Sequence, residues 1–330
     1  MSTFSALVAR QNAEGKFEQV VVQRYMDDLP AGELLIRVKY SSVNFKDALS
    51  ASGSKAVTKH FPHTPGIDAA GIVERSSVSG FRDGDEVIVT GYDLGMNTSG
   101  GLAQYIRIPA AWAIKRPEGL TLRESMVLGT AGLTAALCID KLQSAGVMPE
   151  SGPILVTGAT GGVGTVAVSL LTKLGYSVTA STGKAWQSDF LKALGASEVV
   201  LRSDLQQGTE RPMLKEQWGG AVDTVGGAIL CNVVKSLRYG ASVAACGLTA
   251  GVDMAGTVLP FILRGVNLLG VDSVELPLSV KAAAWHKLAN EWKLDTLDSL
   301  VTEISLEQAP EALAKLLEGQ MVGRVVVALS

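Results

Sequence analysis

The segment Ile154-Leu155-Val156-Thr157-Gly158-Ala159-Thr160-Gly161-Gly162-Val163-Gly164 points most directly to a chemistry. A short β-prone run enters a glycine-dense turn. Beyond it Val163, Val166, Ala167, Leu170, Leu171 and Leu174 recur at three- and four-residue spacing, which predicts a helix with one buried face. Glycine lets a backbone approach a diphosphate closely, and the unpaired N–H groups and dipole at a helix start face it. The spacing Gly158, Gly161, Gly164 is a variant of the dinucleotide fingerprint, set in the strand-then-helix context that such binding requires.

The end of the next strand bears on which dinucleotide is held. A chain selecting NAD places Asp or Glu there, about twenty residues past the glycines, against the ribose 2′-hydroxyl. Here the strand ends Ser181-Thr182-Gly183-Lys184, with no carboxylate before Asp189. Small hydroxyl donors and a lysine suit a 2′-phosphate, which a carboxylate would repel. Arg202, just past the third strand, could reach the same place. The expected cofactor is NADP(H). The plainer alternative makes Lys184 an ordinary solvated lysine at a helix start.

Elements must hold that turn. Ser177 to Ala180 reads as a second strand, Phe190, Leu191 and Leu194 as a helix closing at Gly195, and Glu198 to Leu201 as a third strand. Ala221–Val225, Ser242–Cys246 and Asn267–Val271 read as three more, and strands alternating with helices predict a doubly wound parallel sheet. The first ~120 residues differ: short runs at Leu34–Val38, Gly71–Val73, Glu86–Val89 and Tyr105–Ile108, punctuated by glycine turns, predict a mainly β, barrel-like module. Thr121 with Glu124 forms a capping box that opens a helix. Helices at 280–292 and after Ser305 precede a last strand at Val325–Leu329, which needs a partner in the β module. The dinucleotide domain is thus inserted, with expected bounds of 1–123, 124–274 and 275–330.

Composition sets the frame. A chain of 330 residues with 47% hydrophobic content and 36 glycines fits a two-domain α/β protein. A net charge of −3, with no basic stripe carrying aromatics, gives no case for nucleic acid. No unbroken apolar run is long enough to predict a membrane span. Met1-Ser2-Thr3-Phe4-Ser5 lacks the regions of a signal peptide, so the expected location is cytoplasmic. Cys138, Cys231 and Cys246 sit in apolar stretches and read as buried small hydrophobes, too few for a disulfide framework.

Taken together, Ser41-Ser42-Val43-Asn44-Phe45-Lys46-Asp47, Pro65-Gly66-Ile67-Asp68-Ala69-Ala70-Gly71, Gly129-Thr130-Ala131-Gly132-Leu133-Thr134-Ala135, the glycine turn, Ala221-Val222-Asp223-Thr224-Val225-Gly226, Ala245-Cys246-Gly247-Leu248 and Gly270-Val271-Asp272-Ser273 carry a resemblance. Over essentially its whole length the chain resembles the zinc-independent medium-chain dehydrogenase/reductases, and among them the acryloyl-CoA reductase and quinone oxidoreductase group. The resemblance implies a GroES-like, mainly β catalytic domain with an inserted Rossmann cofactor domain and a cleft between them.

It also implies site residues. Zinc-dependent relatives carry cysteine where Asn44 stands and Gly-His-Glu where Gly66-Ile67-Asp68 stands. An amide and an isoleucine are not zinc ligands, so no metal is expected. His60 and His63 lie close by but outside the ligand position. Without a Lewis acid, reduction of a C=C bond conjugated to a carbonyl is the expected reaction. Asn44 is the candidate polar group beside nicotinamide and substrate, and Asp68 the carboxylate that orients it or relays a proton. The alternative is that both only satisfy a turn. Phe45 stands where the family commonly has tyrosine, keeping a ring face and losing a hydroxyl. Thr160, Gly161, Gly162 and Val163 would meet the diphosphate, and Thr182, Gly183, Lys184 and Arg202 the adenosine phosphate. Leu248, Ile262 and Ser273 would frame the nicotinamide side, although periodicity alone reads the two apolar residues as core.

Lys55, Lys59 and His60 precede the Pro-Gly-Ile-Asp block, where a basic loop could meet CoA phosphates or simply be solvated. The expected substrate is a short 2-enoyl thioester such as acryloyl-CoA, with quinone or alkenal reduction as the runner-up. A non-catalytic NADPH-binding protein is the alternative from another class. The apolar run Val258–Leu263 leads into the last sheet strand, which at a sheet edge would pair with its two-fold mate in a homodimer.

Overall fold

A computed structural model describes residues 2–329. The chain divides into two compact units, one built from residues up to Thr130 together with those from Val274 onward, the other from Ala131–Ser273.

The first unit opens with β1 (Thr3–Gln11) and β2 (Phe17–Tyr25), an antiparallel pair. Sequence patterning does not announce β2, because its side chains are half-buried on both faces and show no period of two. Then come β3 (Leu34–Ser42), α1 (Phe45–Ala51), β4 (Asp68–Ser76), β5 (Glu86–Thr90), β6 (Tyr105–Ile108) and β7 (Ala113–Lys115). In β3 the inward residues Leu34, Ile36 and Val38 are buried in alternation, as a half-covered strand demands. The alternation breaks at Ser41 and Ser42, both buried, because both hydroxyls bond to Asp68.

The predicted capping box is formed: Thr121 N–H donates to Glu124 Oε2 at 2.7 Å and Glu124 N–H to Thr121 Oγ1 at 3.1 Å. It opens α2 (Leu122–Ser144), which is long and apolar enough to cross a membrane but is mostly buried within the protein, as a core helix is. Gly129 interrupts it with φ 52° and ψ −154°.

In the second unit β8 (Ile154–Val156) leads through the glycine turn to α3 (Gly162–Lys173). There follow β9 (Val178–Thr182), α4 (Ser188–Ala193), β10 (Glu198–Leu201), β11 (Trp218–Asp223), α5 (Gly227–Ser236), β12 (Leu237–Ala245), α6 (Leu259–Arg264) and β13 (Asn267–Gly270). The six strands form one parallel sheet in the order β10-β9-β8-β11-β12-β13. From β8 the chain winds outward through β9 to β10, then crosses back to β11 on the other side of β8. The glycine turn therefore stands at the switch point, where doubly wound sheets bind ligand. Leu155, Ala221, Ile229, Val233 and Val243 pack its core.

The chain returns to the first unit with α7 (Leu278–Ala289), β14 (Val301–Ser305), α8 (Ala309–Leu317) and β15 (Arg324–Ala328). The last strand finds its partner there: β15 lies between β14 and β3 in a seven-stranded sheet ordered β14-β15-β3-β4-β5-β7, with β6 also on β3. This sheet sets Asn44, Asp68 and Arg324 on neighbouring segments.

Candidate active site

Asp68, the first residue of β4, is wholly buried, and its carboxylate acts as acceptor for four donors. Onto Oδ2 come Ser42 Oγ at 2.6 Å, Asn44 Nδ2 at 2.7 Å and Thr130 N at 2.8 Å; onto Oδ1 comes Thr130 Oγ1 at 2.5 Å. Four donors match the capacity of two carboxylate oxygens. The amide of Asn44 is thereby turned with its nitrogen toward Asp68. Its remaining N–H has only long contacts with Ser42, at 3.4 Å to O and to Oγ, leaving it able to donate to an incoming oxygen.

Asp47 secures the backbone beneath this pair. It sits three residues into α1 and accepts Asn44 N–H on Oδ2 at 2.8 Å, and Ile67 and Gly66 N–H on Oδ1 at 2.8 and 3.1 Å. One buried side chain thus ties the segment carrying Asn44 to the one carrying Asp68. Burial, then the neighbouring charge of Asp68, raise its carboxyl from the ordinary 3.8 to about 7, against the lowering effect of the donated N–H groups.

In the second unit, α3 starts at Gly162 with Gly161 before it and no side chain capping its first N–H groups. Two glycines of the turn leave no room for a side chain. Gly158 has φ +57°, and a Cβ on Gly164 would lie 2.3 Å from Gly158 O. Thr224 packs under Gly158, while Asp223 accepts Thr157 Oγ1 and Gly226 N–H, both at 2.7 Å, joining the ends of β8 and β11. This cradle fits a dinucleotide diphosphate against the helix start. At the end of β9, Thr182 Oγ1 lies 3.3 Å from Thr160 Oγ1 and accepts Lys184 N–H at 3.0 Å, while Arg202 N–H donates to Thr182 O at 2.8 Å. The Arg202 guanidinium stacks on Gly183 so closely that a Cβ there would be 3.0 Å from it. The Arg202 guanidinium, the Lys184 backbone N–H and two threonine hydroxyls are thus gathered at the end of β9, groups of a kind that could hold a 2′-phosphate.

Comparison with known proteins finds two family models in the chain. Residues 30–118 match the Alcohol dehydrogenase GroES-like domain family and residues 162–290 the Zinc-binding dehydrogenase family. The acrylyl-CoA reductase AcuI of Ruegeria pomeroyi is 44% identical over 98% of each chain. YhfP of Bacillus subtilis, classed by its name among the quinone oxidoreductases, is 48% identical over 100% of each. The chain belongs to the medium-chain dehydrogenase/reductase superfamily.

Like its superfamily relatives it is an oxidoreductase, with a GroES-like unit and an inserted Rossmann unit. The Salmonella enterica yhdH oxidoreductase, solved in complex with NADP, superposes with a TM-score of 0.96 at 42% identity, covering 99% of this chain and 100% of that one. YhfP, solved with NAD bound, also superposes at 0.96, with 47% identity and all of both chains covered. Where the resemblance places metal ligands in zinc-dependent relatives, this chain presents the Asn44 amide, Ile67 and an Asp68 already engaged by four donors. Among the described residues no group of three or more His, Cys, Asp or Glu could hold a metal ion. His60 is exposed; His63 is buried, its imidazole held below the ordinary value chiefly by that burial.

The remaining expected residues are distributed. Phe45 opens α1 beside Asn44, and Ser273 is buried, accepting from Thr134 Oγ1 at 2.8 Å. Leu248 and Ile262 are 58% and 71% exposed, which corrects the core assignment that periodicity alone gives them. Cys246 is likewise only partly buried, its thiol near Asp223 O. Sequence reasoning missed Asp47, Thr130 and Arg324 as parts of the Asp68 cluster. For Asp47 a signal existed in the Asn-x-x-Asp spacing of a helix start.

Proposed function

We propose that this chain is an NADPH-dependent reductase of short 2-enoyl thioesters that converts acryloyl-CoA to propionyl-CoA. The observation that carries the reading is the Asn44 amide, locked by Asp68 with one N–H left weakly engaged, where zinc-dependent relatives have a ligand. The 44% identity to AcuI supports the substrate class. When bound, NADPH supplies the hydride to the substrate β-carbon, and the C=C electron pair moves to form an enolate. Asn44 donates its second amide hydrogen to the developing enolate oxygen, a fixed donor that needs no reorganisation. Asp68 holds that donor in place. A proton at the α-carbon then completes the product. Neither the amide of Asn44 nor the alkyl side chain of Ile67 is a zinc ligand type, so the reaction as proposed uses no zinc.

For the cofactor we assign Thr160, Gly161, Gly162 and Val163 to the diphosphate, and Thr182, Gly183, Lys184 and Arg202 to the 2′-phosphate. Phe45, Leu248, Ile262 and Ser273 are assigned to the nicotinamide side. Three free cysteines suit a reducing compartment, the cytosol. The unpaired edge of β13 suits a homodimer. The second reading, quinone reduction, is favoured by the 48% identity to YhfP. Steady-state turnover of acryloyl-CoA, crotonyl-CoA and 1,4-benzoquinone with NADPH decides. Highest kcat/KM on acryloyl-CoA is expected, a preference for the quinone transfers the function to the second reading, and no turnover of any leaves a binding protein.

A further inference from the structure

Arg324 opens β15 and is 3% exposed, yet among the described residues no carboxylate lies within hydrogen-bond reach of it. Its Nε donates to Val127 O at 2.9 Å, and its Nη1 reaches Val43 O and Asn44 Oδ1, each at 3.4 Å. Nη2 has no hydrogen-bond partner among the described residues. That orphan nitrogen lies 3.0 Å from the point where a Cβ on Gly129 would stand, and Asp68 Oδ2 and Ser42 Oγ lie 2.5 and 2.6 Å from the same point. The guanidinium and the Asp68 cluster therefore converge over a glycine that leaves the space open.

A buried, partly unsatisfied guanidinium is costly and needs a compensating reason. Charge supplies one. Asp47 and Asp68 are both buried in this cluster, and neither accepts a hydrogen bond from any lysine, histidine or arginine. Burial disfavours the Arg324 charge, and the fields of Asp68 and Asp47 oppose that effect. A second effect of Arg324 is on orientation. An asparagine amide can be turned by half a revolution at little cost in shape, exchanging oxygen for nitrogen. Asp68 receives Nδ2 at 2.7 Å and the Arg324 Nη1 faces Oδ1 at a longer 3.4 Å, so the reversed amide would set its oxygen against the carboxylate and its NH2 group against the guanidinium.

We infer that Arg324 is a positioning residue for the reaction: its charge faces the Asn44 amide oxygen and disfavours the reversed amide, so that the nitrogen stays on Asp68 and the second N–H stays aimed at substrate. The inference rests on the donor role proposed for Asn44. It assigns to Arg324 no contact with substrate or cofactor.

A double-mutant cycle on the full-length protein tests it, with Arg324→Met, Arg324→Lys and Asn44→Ala, using whichever substrate the parent turns over. Arg324→Met should lower kcat about a hundredfold and Arg324→Lys about tenfold, with NADPH affinity within about threefold, and both losses should shrink to under about threefold in the Asn44→Ala background. If Arg324→Met does not fold, the lysine cycle decides alone. A second readout needs no activity. The Asn44 side-chain amide, identified by its disappearance in Asn44→Ala, should lose at least about tenfold of its protection from hydrogen exchange in either Arg324 variant. Independent, multiplying losses, or unchanged amide protection, overturn the inference. An Asn44→Ala enzyme of parental rate overturns instead the donor role on which it rests.

Discussion

Gly129 has no side chain because Asp68 occupies the place of one: a Cβ on Gly129 would stand 2.5 Å from Asp68 Oδ2. The backbone there, φ 52° and ψ −154°, belongs to glycine in any case. The break it makes in α2 lets Thr130 N–H and hydroxyl turn onto the carboxylate rather than up the helix. Gly129→Ala should therefore cost about 3 kcal/mol or more, from strained backbone and a displaced Asp68 together. Urea denaturation measures it. A loss under about 1 kcal/mol would show that the helix relaxes around the methyl and that the break is not needed to hold Asp68.

The adenosine end yields a cofactor prediction. With Lys184 and Arg202 beside Gly183 and no carboxylate on the end of β9, NADPH should bind at least about tenfold more tightly than NADH, or about 1.4 kcal/mol. Arg202→Ala should remove most of that preference while leaving NADH affinity nearly unchanged. Fluorescence titration with each nucleotide reads both. Equal affinities in the parent would contradict the assignment; among its relatives YhfP is solved with NAD and the Salmonella enterica yhdH oxidoreductase with NADP.

Asp47 predicts a pH dependence of stability. Its carboxyl is raised from 3.8 to about 7, so the folded state holds the proton more tightly than the unfolded state. The sign follows: its contribution is fully present below about pH 4 and is lost as pH rises through about 7. In Asp47→Asn that dependence is absent. The stability advantage of the parent over the variant should therefore be larger at pH 5 than at pH 8, on the order of a few kcal/mol across the window. Denaturant titrations at the two pH values give the answer, and an advantage that grows toward pH 8 would reverse the assignment.

Much of this was legible in the sequence, for physical reasons that also mark where legibility stops. The glycine turn could be read because Gly158, Gly161 and Gly164 are required by backbone approach, which leaves a mark on residue type. The limits of β10 could be read because a short β-branched run lies between a glycine-closed helix and a polar turn. Arg324 could not. A lone arginine ahead of Val325-Val326-Val327 reads as the solvated start of a strand, and its burial arises from β3 and the helix break at Gly129, both nearly two hundred residues or more away in the chain. The exposure of Leu248 and Ile262 was hidden for the converse reason: apolar side chains left uncovered look the same in sequence as covered ones.

Those uncovered side chains bear on assembly. β13 is the edge of the parallel sheet, and Val258, Ile262, Leu263 and Leu268, on and before it, are exposed. An open edge beside apolar surface calls for a partner, and a second copy in two-fold pairing would join two six-stranded sheets. Light scattering at micromolar concentration should give about twice 34.5 kDa. Leu268→Lys, at the edge and 38% exposed, should shift the mass toward one chain while sparing the fold. A parent that scatters as a single chain would mean that the edge is tolerated uncovered.

The donor role of Asn44 is the sharpest test of the chemistry. Asn44→Ala removes the amide that Asp68 holds at 2.7 Å, and loss of one preorganised donor costs about a hundred- to a thousandfold in turnover. NADPH affinity should change much less, because the diphosphate and 2′-phosphate residues proposed here belong to the Ala131–Ser273 unit. Asp68→Asn separates the two roles left to the carboxylate. If Asp68 only orients, the variant should lose less than Asn44→Ala, since an amide oxygen still accepts from Asn44 Nδ2. If it relays a proton, the losses should match. Hydride transfer followed in the pre-steady state with deuterated NADPH isolates the chemical step from product release. A rate within about threefold of the parent for Asn44→Ala would make Asn44 a structural residue of the α1 start and move the search for the enolate donor to Thr130, the other side chain bonded to Asp68 that is only partly buried.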